Sequence, residues 1–210
     1  MKRRALQIAA LVFICWGVGQ MAWGAYIHSK ASLAQALILR AWAQTSKKGG
    51  PPKPWPWADT TPVARLGAPM HRVDMIVLDG GSGRTLAFGP GHVTGTARPG
   101  ETGNVVIAGH RDTHFRFLRD LERGDTLLME GRDGELHDYE VVKMDIVDHR
   151  RADLLGDFGD DRLTLITCYP FDAIAPGGPL RYVVTAIRVV SPRVIGAARR
   201  APLVRASQSA

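Results

Sequence analysis

Three residues carry the reactive chemistry of this 210-residue chain: Cys168 ends RLTLITC, His110 follows NVVIAG, and Arg181 opens RYVVTAIRVV. A cysteine attacks only as its thiolate, and with an ordinary pKa of about 8.5 only a few per cent is ionised at neutral pH. An imidazole nearby is the commonest remedy, because it can hold the negative sulfur as imidazolium or hand a proton to a leaving amine. Arginine stays protonated and can hold the oxyanion of a tetrahedral intermediate. Thr167, beside the cysteine, adds a hydroxyl or backbone donor. Taken singly, each has a plainer reading, as loop histidine, surface arginine or core cysteine. Taken together they stand at ends of expected strands, where a rigid scaffold presents functional groups to solvent.

The elements that must position them are short runs rich in Val, Ile and Leu, separated by Gly, Pro and Asp. VDMIVLD (73–79), VVIAG (105–109), TLLMEG (126–131), HDYEVVKMDIV (137–147), RLTLITC (162–168) and RYVVTAIRVV (181–190) read as strands. Arg132-Asp133-Gly134-Glu135 between two of them is a hairpin turn signal, since Asp-Gly readily takes positive φ. Strands at this spacing predict a mostly antiparallel barrel or sandwich. Phe115, Leu118 and Leu121 support at most a short helix or turn over 115–125. The loop YPFDAIAPGGPL, 169–180, joins two strands that would bring thiol and guanidinium to one rim if they pair.

Upstream, residues 5–27 carry no charge and are long enough for one transmembrane helix. The stretch exceeds the apolar core of a secretory signal, so an uncleaved anchor is expected, although Ala22 to Ala25 could serve a peptidase. Lys2, Arg3 and Arg4 then stay in the cytoplasm, and everything after the helix lies outside. Cys15 falls inside this apolar run and cannot reach Cys168, which leaves Cys168 a lone thiol in an oxidising compartment. The implied organisation is a basic tip (1–4), the transmembrane helix (5–27), a membrane-proximal helix and Pro/Trp-rich linker (28–71), a β-domain (72–191) and a basic, disordered tail (192–210).

The net charge of +7 is no nucleic-acid signal. Residues 1–72 hold a balance of +9, residues 73–172 a balance of −8, and residues 173–210 a balance of +6. Positive charge therefore sits on the flanks, suited to a membrane surface or to soluble tails.

TLITC resembles the TLxTC signature of sortases, NVVIAGHRDTHF their histidine strand and loop, and RYVV the arginine strand after the cysteine. LAFGPGHVTGTARPGETGN, 86–104, is similar to the family's approach to its histidine. The likeness covers roughly residues 72–190. It implies a closed eight-stranded β-barrel and a cysteine transpeptidase that cuts an LPxTG-like C-terminal sorting signal on an exported protein and passes the acyl group to an amine. Carried over, Cys168 is the nucleophile, His110 the general acid and Arg181 the oxyanion and substrate anchor. Thr167, Asp112 and His114 are candidates for a supporting role around substrate and oxyanion. No cofactor or metal is called for, and the acceptor amine is not named. PWPWADTTPVARL, the single anchor and the basic tail resemble the subgroup of Gram-negative proteobacteria, which would put the anchor in the inner membrane and the catalytic domain in the periplasm. Two other cysteine enzymes fit less well. There is no SHGC-like segment of an L,D-transpeptidase, and a papain-like peptidase places its cysteine before its histidine. A metal site on His110, His114 and Cys168 lacks any HExxH or paired-cysteine motif. The non-enzymatic alternative is an anchored envelope module that binds a partner through Tyr169 to Phe171.

Overall fold

The computed structural model describes residues 2–45, 52–156, 158–173, 175 and 177–189. The expected tail, 192–210, and residues 46–51 of the linker lie outside the described residues. The chain divides into two compact units, Met1–Leu37 and Ile38–Ala210. The first belongs to helix α1, Lys2–Thr45, which is long and apolar enough to cross a membrane. The helix runs on past the expected end of the span at residue 27, as the good helix formers of Ala31 to Gln44 permit.

The second unit is a closed barrel of eight strands. These are β1 (Pro62–Ala68), β2 (Val73–Asp79), β3 (Gly91–His92), β4 (Asn104–Ala108), β5 (Thr126–Glu130), β6 (Leu136–Asp148), β7 (Arg162–Cys168) and β8 (Leu180–Val189), hydrogen-bonded in the order β1-β2-β3-β4-β7-β8-β6-β5. The expected eight-stranded barrel is thus present, with six of the eight strands near their expected positions. β1 lies inside the stretch read as linker. Pro62 takes the first position of the strand and Pro69 follows the last, so the strand begins where the Pro-rich run 51–56 has already ended. β3 spans two residues, too few for a pattern to show. It is held so close to the neighbouring chain that a Cβ on Gly91 would meet the Gly80 carbonyl oxygen at 2.1 Å.

The barrel is mixed rather than simply antiparallel: β2 pairs β3, and β4 pairs β7, in parallel. Parallel strands need a long crossover. Here β5 and β6 supply it between β4 and β7, and the two strands finish at the same end of the barrel.

Alternate residues of each strand fill the interior. Leu66, Ile107, Leu127, Met129, Tyr139, Leu163 and Leu165 are fully buried there. Burying each such side chain contributes about 1.5–3 kcal/mol before chain entropy is counted. The outer face of β2 has its own cover, in which Ile38 and Trp42 of α1, Trp55 and Phe88 pack on Ile76 and Leu78. Trp55 meets Phe88 edge-on at 5.1 Å, so it caps the domain, whereas Trp57 is 83% exposed.

Candidate active site

The parallel register of β4 and β7 runs from Asn104 opposite Arg162 to Ala108 opposite Ile166, and the Gly109 amide continues it by donating to the Ile166 carbonyl at 3.1 Å. One more step brings His110 level with Cys168. On the other edge of β7 the antiparallel register sets Cys168 directly opposite Arg181. Three adjacent strands therefore deliver His110, Cys168 and Arg181 to one rim. Their neighbours Val105, Ile107, Leu163, Leu165, Val184 and Ala186 point into the core, so these three share the outward face. His110 is exposed, while Cys168 and Arg181 are half-buried.

The backbone leading to His110 is locked. The ring of Phe115, fully buried, lies so close to Gly109 that a Cβ there would meet it at 2.7 Å. The Phe115 amide donates to the His110 carbonyl at 2.9 Å, which closes the loop behind the histidine. Thr167 is buried and turned inward, donating its hydroxyl to the Gly109 carbonyl at 2.7 Å. The hydroxyl expected near the oxyanion thus braces the histidine strand, because the residue next to Cys168 must face the opposite side of the sheet.

His114 is half-buried beside this loop, its Nδ1 3.4 Å from the Thr113 hydroxyl. Burial, and after it the charge of His110, holds its imidazole below the ordinary histidine value. Asp112 is exposed. Tyr169 and Phe171 pack on Tyr182, at 6.2 and 5.2 Å between ring centres, and Phe171 and Tyr182 join the core cluster. The aromatic pair thus packs against the core beneath the rim. Burial, with Tyr169 adding a smaller effect, raises the Tyr182 phenol above its usual range.

Two arginines hold the loop between Cys168 and Arg181. Arg181 donates from Nη1 to the carbonyls of Gly178 at 2.7 Å and Leu180 at 2.9 Å. Arg111, only 9% exposed, donates from Nη2 to the carbonyls of Ala173 at 2.6 Å and Ala175 at 3.2 Å. No local sequence pattern marks Arg111 as more than a surface charge, since its partners lie more than sixty residues away.

Below the rim, the same outward face opens into a cavity of about 470 Å³ whose floor includes Thr164, Thr185 and Ile187 and whose wall includes Leu154 and Phe158. Asn104 fixes that wall. Its side-chain amide donates to the carbonyls of Leu154 and Gly156 at 2.9 and 3.0 Å, and its oxygen accepts from the Thr164 hydroxyl at 2.7 Å. Sequence reasoning passed over Asn104, although a polar residue opening an otherwise apolar strand is the signal that could have found it.

Known proteins share this architecture. A family model, the sortase domain, matches residues 66–189. Sortase D of Bacillus subtilis is 35% identical over 125 residues, which cover 59% of this chain and 62% of that protein. Sortase A from Corynebacterium diphtheriae aligns in structure with a TM-score of 0.57 at 30% identity, covering 65% of each chain. The Clostridium perfringens Sortase D5 transpeptidase aligns with a TM-score of 0.62, covering 75% of this chain and 99% of the other, and at 22% identity it speaks for the fold alone. The chain spans less than two thirds of the length of the curated relatives it matches. These findings overturn the expected Gram-negative subgroup, since the similar proteins come from the Gram-positive genera Bacillus, Clostridium, Listeria, Streptococcus, Actinomyces and Corynebacterium. The periplasmic location was tied to that subgroup and falls with it. Within the Pro/Trp-rich segment that suggested the subgroup, Trp55 packs on Phe88 as a cap on the domain, a role not specific to one envelope.

Proposed function

The chain belongs to the sortase family, and on that footing we propose that it is a membrane-anchored cysteine transpeptidase acting on the C-terminal sorting signal of an exported protein. In this reading the Cys168 thiolate adds to the carbonyl carbon of the signal's threonine, and the carbonyl electron pair moves onto oxygen. Arg181 holds that oxyanion. When the intermediate collapses, the carbon–nitrogen bond breaks, His110 gives its proton to the departing amine, and a thioester remains on Cys168. An incoming amine then attacks the thioester, loses a proton to His110, and expels the thiolate. The observation that carries the reading is the register: Arg181 directly opposite Cys168, and His110 two residues past the last paired residues of β4 and β7, level with Cys168. The cavity below the rim supports it, since an extended peptide lying along β7 would cover the same outward face.

An LPxTG-type signal is the substrate the family resemblance suggests. The test uses the full chain in detergent with a fluorogenic LPxTG-type peptide, and mass spectrometry of the protein. We expect an acyl adduct on Cys168 that hydroxylamine or an added amine removes. Cys168→Ala should form none while melting within about 2 °C of the wild type, because it removes one half-buried sulfur. A wild-type protein that cleaves the peptide without an adduct would sink the covalent mechanism.

A further inference from the structure

We propose that Arg111 is a positioning residue for this reaction. Its guanidinium ties the loop that leads into Arg181 to the backbone that carries His110, and so sets the three reactive groups against one another. The proposal rests on the transpeptidase reading and assigns a duty to a residue that reading does not use.

Arg111 directly follows His110, and the backbone there is already fixed by Phe115, packed on Gly109 and bonded to the His110 carbonyl. The guanidinium reaches across to the Ala173 and Ala175 carbonyls at 2.6 and 3.2 Å. At the other end of the same loop, Arg181 holds the Gly178 and Leu180 carbonyls. The 169–180 loop is thus pinned at two places by two cations, one from each side of Cys168. The ends of the loop are also joined by the Tyr169 amide, which donates to the Leu180 carbonyl at 3.0 Å, so the Arg111 tie acts on the middle of a long connection. A displacement of about 1 Å in a reacting group can cost on the order of a hundredfold in rate.

Arg111 is a poor choice for stability alone. Its Nη1 is buried with no hydrogen-bond partner among the described residues. A buried donor left unpaired costs about 1–3 kcal/mol, and a buried charge held only by neutral carbonyls is not well repaid. An apolar side chain of similar volume would fill the site without that cost. Arg111→Met should therefore separate the two roles, and Arg111→Lys should restore part of the tie, since an ammonium can still donate to one or both carbonyls.

The experiment compares wild type, Arg111→Met and Arg111→Lys as full chains in detergent, reading peptide turnover, melting temperature and amide hydrogen exchange. Arg111→Met should lose about 30-fold in kcat with KM within about twofold. It should melt at or above the wild-type temperature, with faster exchange in the 169–180 loop and unchanged exchange in β4 and β7. Arg111→Lys should fall between. A kcat that holds while the loop exchanges faster overturns the proposal, and so does a melting temperature that falls in step with kcat. A wild type that forms no adduct overturns the transpeptidase reading and this proposal with it; a wild type that forms one beside an equally active Arg111→Met overturns the proposal alone.

Discussion

The two faces of β4, β7 and β8 are built on different terms. The inward face is a layer of Val105, Ile107, Leu163, Leu165, Val184 and Ala186, all fully buried and apolar. The outward face of the same strands is mixed: it sets Asn104, His110, Thr164, Cys168, Arg181 and Thr185, polar or reactive, among apolar residues such as Val106 and Val183, and is open at the cavity. Inside, what matters is volume, and cores accept swaps that keep it. Outside, what matters is which atom faces which, and register sets that. A slip of one residue along β7 would exchange the faces, sending Cys168 into the core. Chemistry and stability thus share the same backbone but occupy alternate residues, so mutations should separate the two effects.

The largest break in that separation is expected at Gly109, where the two faces touch. A methyl there would press on the ring of Phe115, which is buried on all sides and has nowhere to go. Overpacking of this kind typically costs about 1–3 kcal/mol, and a backbone shift here moves the adjacent His110. Gly109→Ala should lower the melting temperature and abolish most peptide turnover together. Adding Phe115→Leu should recover part of the lost stability, and a double-mutant cycle with no coupling would show that the collision is not the cause.

Asn104→Ala probes the outward face away from the reacting atoms. It strands the Leu154 and Gly156 carbonyls and the Thr164 hydroxyl, a loss of about 1–3 kcal/mol. Because the freed segment is the wall of the cavity, KM for the peptide should rise about five- to tenfold with a smaller change in kcat. A fall confined to kcat would mean that the wall is not part of the substrate path.

These residues also show what the sequence could and could not disclose. His110, Cys168 and Arg181 were legible because each ends or opens a strand with a strong apolar run, so local pattern fixed their place. The meeting of Cys168 with Arg181 was legible in the connection between their strands, whereas the place of His110 beside them was visible only through the family resemblance, since parallel pairing of β4 with β7 is a tertiary choice. The inward turn of Thr167 follows from strand alternation and was available from the sequence once Cys168 was set outward. Arg111 was not legible at all: its role depends on carbonyls in a loop whose path no local rule predicts. β1 was hidden by the prolines at its ends, and β3 by its brevity.

The smallest expected effect concerns His114, half-buried in the histidine loop. Burial first, and the charge of His110 second, hold its imidazole below the ordinary value of 6.5. The folded protein therefore binds a proton at this site less readily than the unfolded chain does. By linkage, the stability that the neutral ring contributes is fully present above pH 6.5 and declines as pH falls through the folded-state value. His114→Gln removes the titration and keeps a polar side chain of similar reach. The melting temperature of the wild type should drop between pH 7 and pH 5 by more than that of the variant, by about 1–3 °C for a domain of this size. Parallel curves would mean that His114 titrates alike in both states, and that the acid sensitivity of this rim belongs elsewhere. Peptide turnover at pH 7 should change less than about threefold in His114→Gln, because the ring lies outside the lining of the cavity and bonds to Thr113.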